Sequence, residues 1–152
     1  MFTNISWLFF DVGSTLIDEQ IAYKHRLQDI AEAANTTYQK VYDTVIQFYK
    51  QNKKGDLETA KQLGIPLPKW HTEDEILYPD AASCLKILSQ KYKIGIIANQ
   101  ELGTKDRLQQ QEILQYIDLV IASAEEGVAK PDEKIFKIAL ERAACKSDNA
   151  IM

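Results

Sequence analysis

The fold of this chain is decided by the stretch ISWLFFDVGSTLID, residues 5–18. Its four consecutive apolar residues, Trp7 to Phe10, are bounded by turn residues, a pattern that favours a strand buried on both faces within a parallel sheet. Asp11 follows at the C-terminal end of this strand, where open α/β sheets bind their ligands. Because an Asp in this place is more often a turn former or a helix cap, the position alone leaves both a catalytic and a structural role open.

Composition describes an ordinary globular chain of 152 residues, 45% hydrophobic and 26% charged. This length suits one domain, or a compact core with a small inserted module. The formal net charge of −4 argues against nucleic-acid and anionic-membrane partners, because there is no basic stripe to release counterions. No apolar run approaches the roughly 20 residues that cross a bilayer.

The cysteines and the N-terminus bear on location. Cys84 and Cys145 lie far apart and form no CxxC pair, and residues 1–6 run into the first predicted strand without a secretory leader. From these features we expect a reducing, cytoplasmic location.

A block of helical periodicity follows the first strand. Its apolar residues predict two antiparallel helices and a short third one, and residues 65–68 (IPLP) then break regular structure. We therefore predict a helical cap insertion over 19–77, with residues 1–18 and 78–152 forming the core. Tyrosines at helical spacing in the insertion are more often core residues than ligand contacts.

Alternating strands and helices return after the insertion. Strands are predicted over 93–98 and 118–124, each followed by a polar segment and a helical stripe, and residues 125–132 are predicted as a loop. Strand, helix, strand, helix, strand with short connections predicts an α/β fold with a doubly wound parallel sheet.

Lys130 is the second candidate for chemistry. Pro131 favours an extended backbone at Lys130, and Asp132 can cap the following helix, so the lysine is held on a short structured loop at the strand ends. Its ammonium can reach Asp11 from there, although a solvated surface lysine is the commoner fate of a single Lys.

Other kinds of site have weak support. His25 and His71 have no partner at metal-ligand spacing, Ser14 has no obvious histidine base, and neither GxGxxG nor GxxxxGK[ST] occurs. Zinc, catalytic-triad and P-loop sites are therefore not predicted.

Together these segments resemble the haloacid dehalogenase (HAD) superfamily. DVGSTLID at 11–18, IGIIANQ at 94–100 and GVAKPDEKIF at 127–136 occur in that family's order. The resemblance implies a Rossmann-like core with a small α-helical cap inserted after the first strand. It also implies a hydrolase with Asp11 as covalent nucleophile, attacking phosphorus or carbon, and Lys130 as the cation that steadies Asp11 and the transferring group.

The resemblance further implies a small phosphorylated or related metabolite as substrate and Mg²⁺ as cofactor. Substrate-binding groups would come from Ser14, Thr15 and Asn99. The metal would be held by the carboxylate of Asp11 and the main-chain carbonyl of Gly13, with the remaining ligands supplied by a fourth motif.

Three departures from the family pattern argue against full activity. Gly13 stands where the phosphatases usually carry an Asp as general acid and base, and Ala98 stands where a Ser or Thr hydroxyl usually meets the phosphate. Residues 150–152 look like the opening of the strand that carries the fourth motif, so its metal ligands are expected to be absent from this chain. An open edge beside the Trp7–Phe10 strand would then favour self-association.

These departures leave the function open. A general acid contributes about 10²–10⁴ in rate and an oriented donor about 10²–10³, so we expect weak or no phosphatase activity. Family members that cleave carbon–halogen or carbon–phosphorus bonds also lack the Asp that is replaced by Gly13 here. A dehalogenase- or phosphonatase-like hydrolase is therefore an alternative. Outside the enzymes, the alternative is a non-catalytic HAD-like fragment or binding module.

Overall fold

The computed structural model describes residues 4–152 and divides them into two units. The sheet unit comprises the described residues up to Asp18 together with Ile76–Met152, and the helical unit is Glu19–Glu75. The prediction that no secretory leader is present rests partly on residues 1–3, which lie outside the described residues.

The strands all belong to the sheet unit. They are β1 (Trp7–Phe10), β2 (Ile17–Asp18), β3 (Ile76–Leu77), β4 (Lys93–Ala98), β5 (Leu119–Ala122) and β6 (Ala150–Ile151). Four of them form a parallel sheet in the order β5-β4-β1-β6, while β2 and β3 pair with each other in antiparallel fashion. The predicted α/β fold with a parallel central sheet is confirmed.

The helices lie in both units. They are α1 (Gln20–Ala33), α2 (Tyr38–Tyr49), α3 (Gly55–Gln62), α4 (Ala81–Leu88), α5 (Thr104–Gln110), α6 (Ser123–Glu126) and α7 (Glu133–Arg142). Among the described residues, no helix has the length and apolar character that a membrane span requires.

Side chains of β1 alternate between two hydrophobic clusters, one on each face of the sheet. Leu8 and Phe10 pack on the cluster that contains Leu85 of α4 and Leu108 of α5. Trp7 and Phe9 pack on the other face, in the cluster that α7 completes. This alternation follows from the two-residue period of a strand, and it explains why an unbroken apolar run is needed where helices cover both faces.

The third predicted strand is shorter than the sequence suggested. The strand expected over 118–124 ends at Ala122, and α6 occupies part of the predicted loop. Ala122 pairs with Ala98, which is the last residue of β4. Residues after Ala122 therefore have no further residue of β4 to pair with, and β5 ends there. The predicted start of a strand at Ala150 is found, with β6 paired to Trp7 and Leu8 of β1.

The helical unit has a core of its own. Its buried residues come from α1 and α2 and are Leu27, Ile30, Ala31, Val41 and Val45. The prediction that the tyrosines of this unit are core residues holds only in part, because Tyr42 and Tyr49 are 43% and 40% exposed. Burial and a hydrogen bond to Tyr23 together raise the pKa of Tyr49.

Candidate active site

Asp11 lies directly after β1, at the start of a tight turn. The carbonyl of Val12 accepts hydrogen bonds from the N–H groups of Leu16 and Ile17, at 2.9 and 3.1 Å, and the N–H of Ser14 donates to the carbonyl of Ile17 at 2.8 Å. Val12, Leu16 and Ile17 are buried, which anchors both ends of the turn in the core. The Asp11 Oδ1 atom accepts a hydrogen bond of 2.8 Å from the N–H of Val12, and the side chain is 41% exposed.

Lys130 reaches the same carboxylate from the loop between α6 and α7. Its Nζ atom lies 2.7 Å from Asp11 Oδ2, and the lysine side chain is only 17% exposed. Pro131 follows through a cis peptide bond. The next residue, Asp132, is the N-cap of α7, where its Oδ1 accepts a hydrogen bond of 2.9 Å from the N–H of Lys134.

Asn99, the first residue after β4, holds the main chain of Lys130. Its Nδ2 donates to the Lys130 carbonyl at 2.9 Å, and its Oδ1 accepts from the Lys130 N–H at 2.7 Å. The neighbouring carbonyl of Gln100 accepts hydrogen bonds from the Ser123 hydroxyl and the Ala124 N–H, both at 3.2 Å. The segment after β4 is thus hydrogen-bonded both to the loop that carries Lys130 and to the start of α6.

The other residues named from the sequence lie near Asp11 or Asn99 along the chain. Ser14 and Thr15 are exposed in the turn that follows Asp11, and Ser14 has a positive φ of 56°. Gly13 contributes main-chain groups only, and a bridge pairs it with Ile17. Ala98 is fully buried at the end of β4 and carries no hydroxyl.

A second group of polar side chains, in the helical unit, was missed by the sequence reasoning. His25, His71 and Asp74 each place one potential ligand atom within 4.8 Å of the others, which contradicts the inference that the histidines have no metal-ligand partner. Hydrogen bonds to Asp29 and Glu73 raise the pKa of His71. The signal in the sequence was a pair of short spacings, His25 with Asp29 and His71 with Asp74, which only the tertiary structure brings together.

The fold places the chain among proteins built on a parallel α/β sheet, with a carboxylate–lysine pair following the ends of its strands. The haloacid dehalogenase-like hydrolase family matches residues 5–152 of this chain. The chain therefore belongs to the haloacid dehalogenase-like hydrolases.

Relatives of similar sequence include a nucleotidase and a phosphatase. The pyrimidine 5'-nucleotidase YjjG of Escherichia coli is 44% identical over 66 residues, which are 43% of this chain and 29% of the relative. The glyceraldehyde 3-phosphate phosphatase of Methanothermobacter thermautotrophicus is 27% identical over 150 residues, 95% of this chain and 63% of the relative. The chain thus spans less than two thirds of the length of either relative.

A solved structure matches the fold over nearly all of the chain. The HAD phosphatase from Thermococcus onnurineus superimposes with a TM-score of 0.72 at 19% identity, covering 97% of this chain and 75% of that protein. At this identity the match supports the architecture.

Proposed function

We propose that this chain is a HAD-type hydrolase that acts on a small phosphorylated metabolite, with Asp11 as covalent nucleophile and Lys130 as its electrostatic partner. The observation that carries the proposal is the 2.7 Å contact between Lys130 Nζ and Asp11 Oδ2, at the carboxyl ends of the parallel strands. The substrate class is supported by two relatives whose names describe a nucleotidase and a triose phosphate phosphatase.

The proposed reaction has two displacements at phosphorus. A carboxylate oxygen of Asp11 forms a bond to phosphorus as the bond from phosphorus to the leaving oxygen breaks. Water then attacks the phosphorus of the acyl phosphate, releasing inorganic phosphate and regenerating the carboxylate. The protein needs no other nucleophile for this sequence of steps.

Lys130 would favour the first displacement electrostatically. A phosphoryl group and a carboxylate repel each other because both are negatively charged, and an ammonium 2.7 Å from the carboxylate offsets that repulsion. Since the lysine side chain is largely buried, its charge is screened less by water than that of a surface lysine.

We assign Asn99 to positioning Lys130, because both ends of its amide already bond the main chain of that residue. Ser14 and Thr15 stay the proposed substrate contacts, since their side chains lie on the exposed turn directly after Asp11. The helical unit is proposed as the cap of the enzyme, in keeping with its insertion between β2 and β3.

Hydrolases of this family generally use Mg²⁺, and the residues at this site fit such an ion in part. Mg²⁺ takes oxygen ligands and is commonly bound through one or two carboxylates together with substrate phosphates. The partly exposed carboxylate of Asp11 and the main-chain carbonyl of Gly13 are oxygen donors of this kind. A bound Mg²⁺ would supply neutralisation of the charge on the phosphoryl group.

Turnover is expected to be slow. Gly13 offers no side chain to protonate the leaving oxygen or to activate water, and Ala98 offers no hydroxyl to the phosphoryl group. Proton transfer by such an acid–base group contributes about 10²–10⁴ in rate.

Phosphate release from nucleoside monophosphates and triose phosphates, measured with Mg²⁺, tests the proposal. Asp11→Asn should abolish turnover and Lys130→Ala should reduce it, whereas the surface controls Asp43→Asn and Lys137→Ala should leave it unchanged. If the Asp11→Asn protein keeps the wild-type rate, the proposal is wrong. Substrate binding without any turnover in the wild-type protein would instead identify a non-catalytic binding module.

Gly13 also favours a second candidate, a hydrolase in which an Asp11 oxygen bonds to a saturated carbon as the bond from that carbon to a halide breaks, leaving an ester on Asp11 and free halide. Water would then attack the carbonyl carbon of that ester, so the new oxygen would enter the Asp11 carboxylate. In the phosphatase reaction, the oxygen atom from water enters inorganic phosphate instead. A single turnover in ¹⁸O-water, followed by mass spectrometry of the phosphate and of the peptide that contains Asp11, distinguishes the two reactions.

A further inference from the structure

Two histidines and an aspartate meet within the helical unit. His25 belongs to α1. His71 is the N-cap of the 3₁₀ turn Thr72–Asp74, and Asp74 is the last residue of that turn. The Nδ1 atom of His25 lies 2.5 Å from Asp74 Oδ2, and the Nδ1 atom of His71 lies 4.0 Å from the same oxygen. The two imidazole rings stand edge to face, with centroids 5.6 Å apart.

The second nitrogen of His71 is held by another carboxylate. Its Nε2 lies 2.7 Å from Asp29 Oδ2, one turn of α1 beyond His25. Metal-binding histidines almost always donate their other N–H to a carboxylate, carbonyl or water, which fixes the tautomer and leaves the remaining nitrogen free to bind the metal. When Nε2 carries the N–H that is donated to Asp29, Nδ1 has a lone pair for a metal ion, and this nitrogen lies 3.1 Å from Glu73 Oε1 and 4.0 Å from Asp74 Oδ2.

We propose that His25, His71 and Asp74 bind a divalent transition metal ion such as Zn²⁺, with Asp29 orienting His71. Two imidazoles and one carboxylate are the ligand set of zinc sites that keep a coordination position open for water. An ion such as Mg²⁺ or Ca²⁺ prefers oxygen ligands and is poorly served by two histidines.

The distances require only a small adjustment. Bonds of about 2.0–2.2 Å to one ion place the ligand atoms about 3–4 Å apart. The 4.0 Å contact between His71 Nδ1 and Asp74 Oδ2 already meets this limit, and the 2.5 Å contact of His25 must lengthen as the ion replaces the shared hydrogen. Glu73, whose Oε1 lies 3.1 Å from His71 Nδ1, would give up that contact.

An ion can reach the cluster from solvent. The side chains of His25, His71 and Asp74 are 44%, 26% and 19% exposed. The bound ion would join α1 to the segment after Pro68, which has little regular structure of its own. Because the metal binds the folded arrangement, it should raise the unfolding temperature of the helical unit.

Titration with Zn²⁺ in competition with a chromophoric chelator tests the site. The titration uses a Cys84→Ser/Cys145→Ser background, because free thiols are themselves zinc ligands. We expect one equivalent of Zn²⁺ to bind, with the affinity lowered at least about tenfold by His25→Gln, His71→Gln or Asp74→Asn, and about 10–100-fold by Asp29→Asn. Asp43→Asn and Glu58→Gln, which alter carboxylates of the same unit outside the cluster, should leave the affinity unchanged.

A second measurement needs no substitution at the cluster. Paramagnetic Co²⁺ added to the same background should broaden the imidazole NMR signals of His25 and His71 at one equivalent. The proposal is overturned if one equivalent of Co²⁺ leaves both imidazole signals sharp, or if Zn²⁺ affinity is the same in all the folded cluster variants. Either result would mean that the cluster is a set of imidazole–carboxylate ion pairs.

Discussion

The Asn99 side chain forms two hydrogen bonds with the main chain of Lys130, in which Nδ2 donates to the Lys130 carbonyl and Oδ1 accepts from the Lys130 N–H. The two hydrogen bonds connect the end of β4 to the loop that presents the lysine to Asp11. Because the main chain of Lys130 sets the position of its ammonium, loss of these hydrogen bonds should move the ammonium away from Asp11.

We therefore predict that Asn99→Ala lowers kcat by up to about a hundredfold, because a misplacement of about 1 Å at a catalytic group can cost that much. Asn99→Asp should be equally harmful, since it replaces the donor to the Lys130 carbonyl by a second acceptor. Steady-state kinetics measure the effect, and unfolding curves serve as the control for stability. A fall in kcat that merely tracks lost stability would contradict the positioning role.

The missing acid–base group at position 13 leads to a gain-of-function prediction. Gly13→Asp should raise the turnover of a phosphate ester with a poor leaving group, by less than the full 10²–10⁴ that a tuned acid provides. The gain should be smaller for an aryl phosphate, whose leaving group needs little protonation. Comparison of the two substrates in the same variant checks this, and an equal gain on both would mean that position 13 does not act as an acid.

Packing of the sheet gives a stability prediction at Gly95. A Cβ atom built on this residue would lie 2.3 Å from Cε1 of Phe9, its register partner on β1. Gly95→Ala should therefore lower the free energy of unfolding by about 1–3 kcal/mol through overpacking. In urea unfolding, Phe9→Leu should be less damaging in the Gly95→Ala background than in the wild type, because the smaller side chain relieves the clash. Strictly additive effects would argue against a direct clash.

The helical unit contains a buried ion pair. Arg26 Nη1 and Asp56 Oδ2 lie 2.9 Å apart, with side chains only 7% and 12% exposed, and the guanidinium lies over the Trp70 ring. Asp56→Asn should cost about 3 kcal/mol, because it removes the charge of a carboxylate that is bonded to a buried guanidinium. The exposed pair of Lys61 and Glu58 provides the control, where Glu58→Gln should cost at most about 1 kcal/mol. Thermal unfolding of both variants measures the difference.

Strong local signals in the sequence predicted most of the sheet. The run at 93–98 is a buried strand because both faces of β4 are covered, and Trp7–Phe10 alternates between the two hydrophobic clusters. The antiparallel pair of β2 and β3 was not predicted, because two residues per strand are too few to show a period. These short strands place Ile76 and Leu77 in the sheet unit, whereas the sequence assigned them to the insertion.

The candidate sites differ in how far the sequence revealed them. Asp11 and Lys130 each follow a strand of one parallel sheet, so the sequence alone predicted that both lie at the C-terminal ends of the strands. The role of Asn99 toward Lys130 could not, because it depends on the path of two loops. The cluster of His25, His71 and Asp74 depends on how a loop folds back on α1, and the short spacings within each segment do not show that two segments more than 40 residues apart meet.

If Asp11 accepts a phosphoryl group, the absence of a side chain at Gly13 should make the phosphorylated protein measurable. Without an acid–base group to activate water, the acyl phosphate should break down slowly and accumulate when the leaving group departs easily. The decisive measurement is intact-protein mass spectrometry after rapid acid quench of a reaction with an aryl phosphate and Mg²⁺. We predict one phosphoryl adduct, located on Asp11 and absent from Asp11→Asn. Turnover without an adduct on Asp11, or an adduct that persists in Asp11→Asn, would contradict the account.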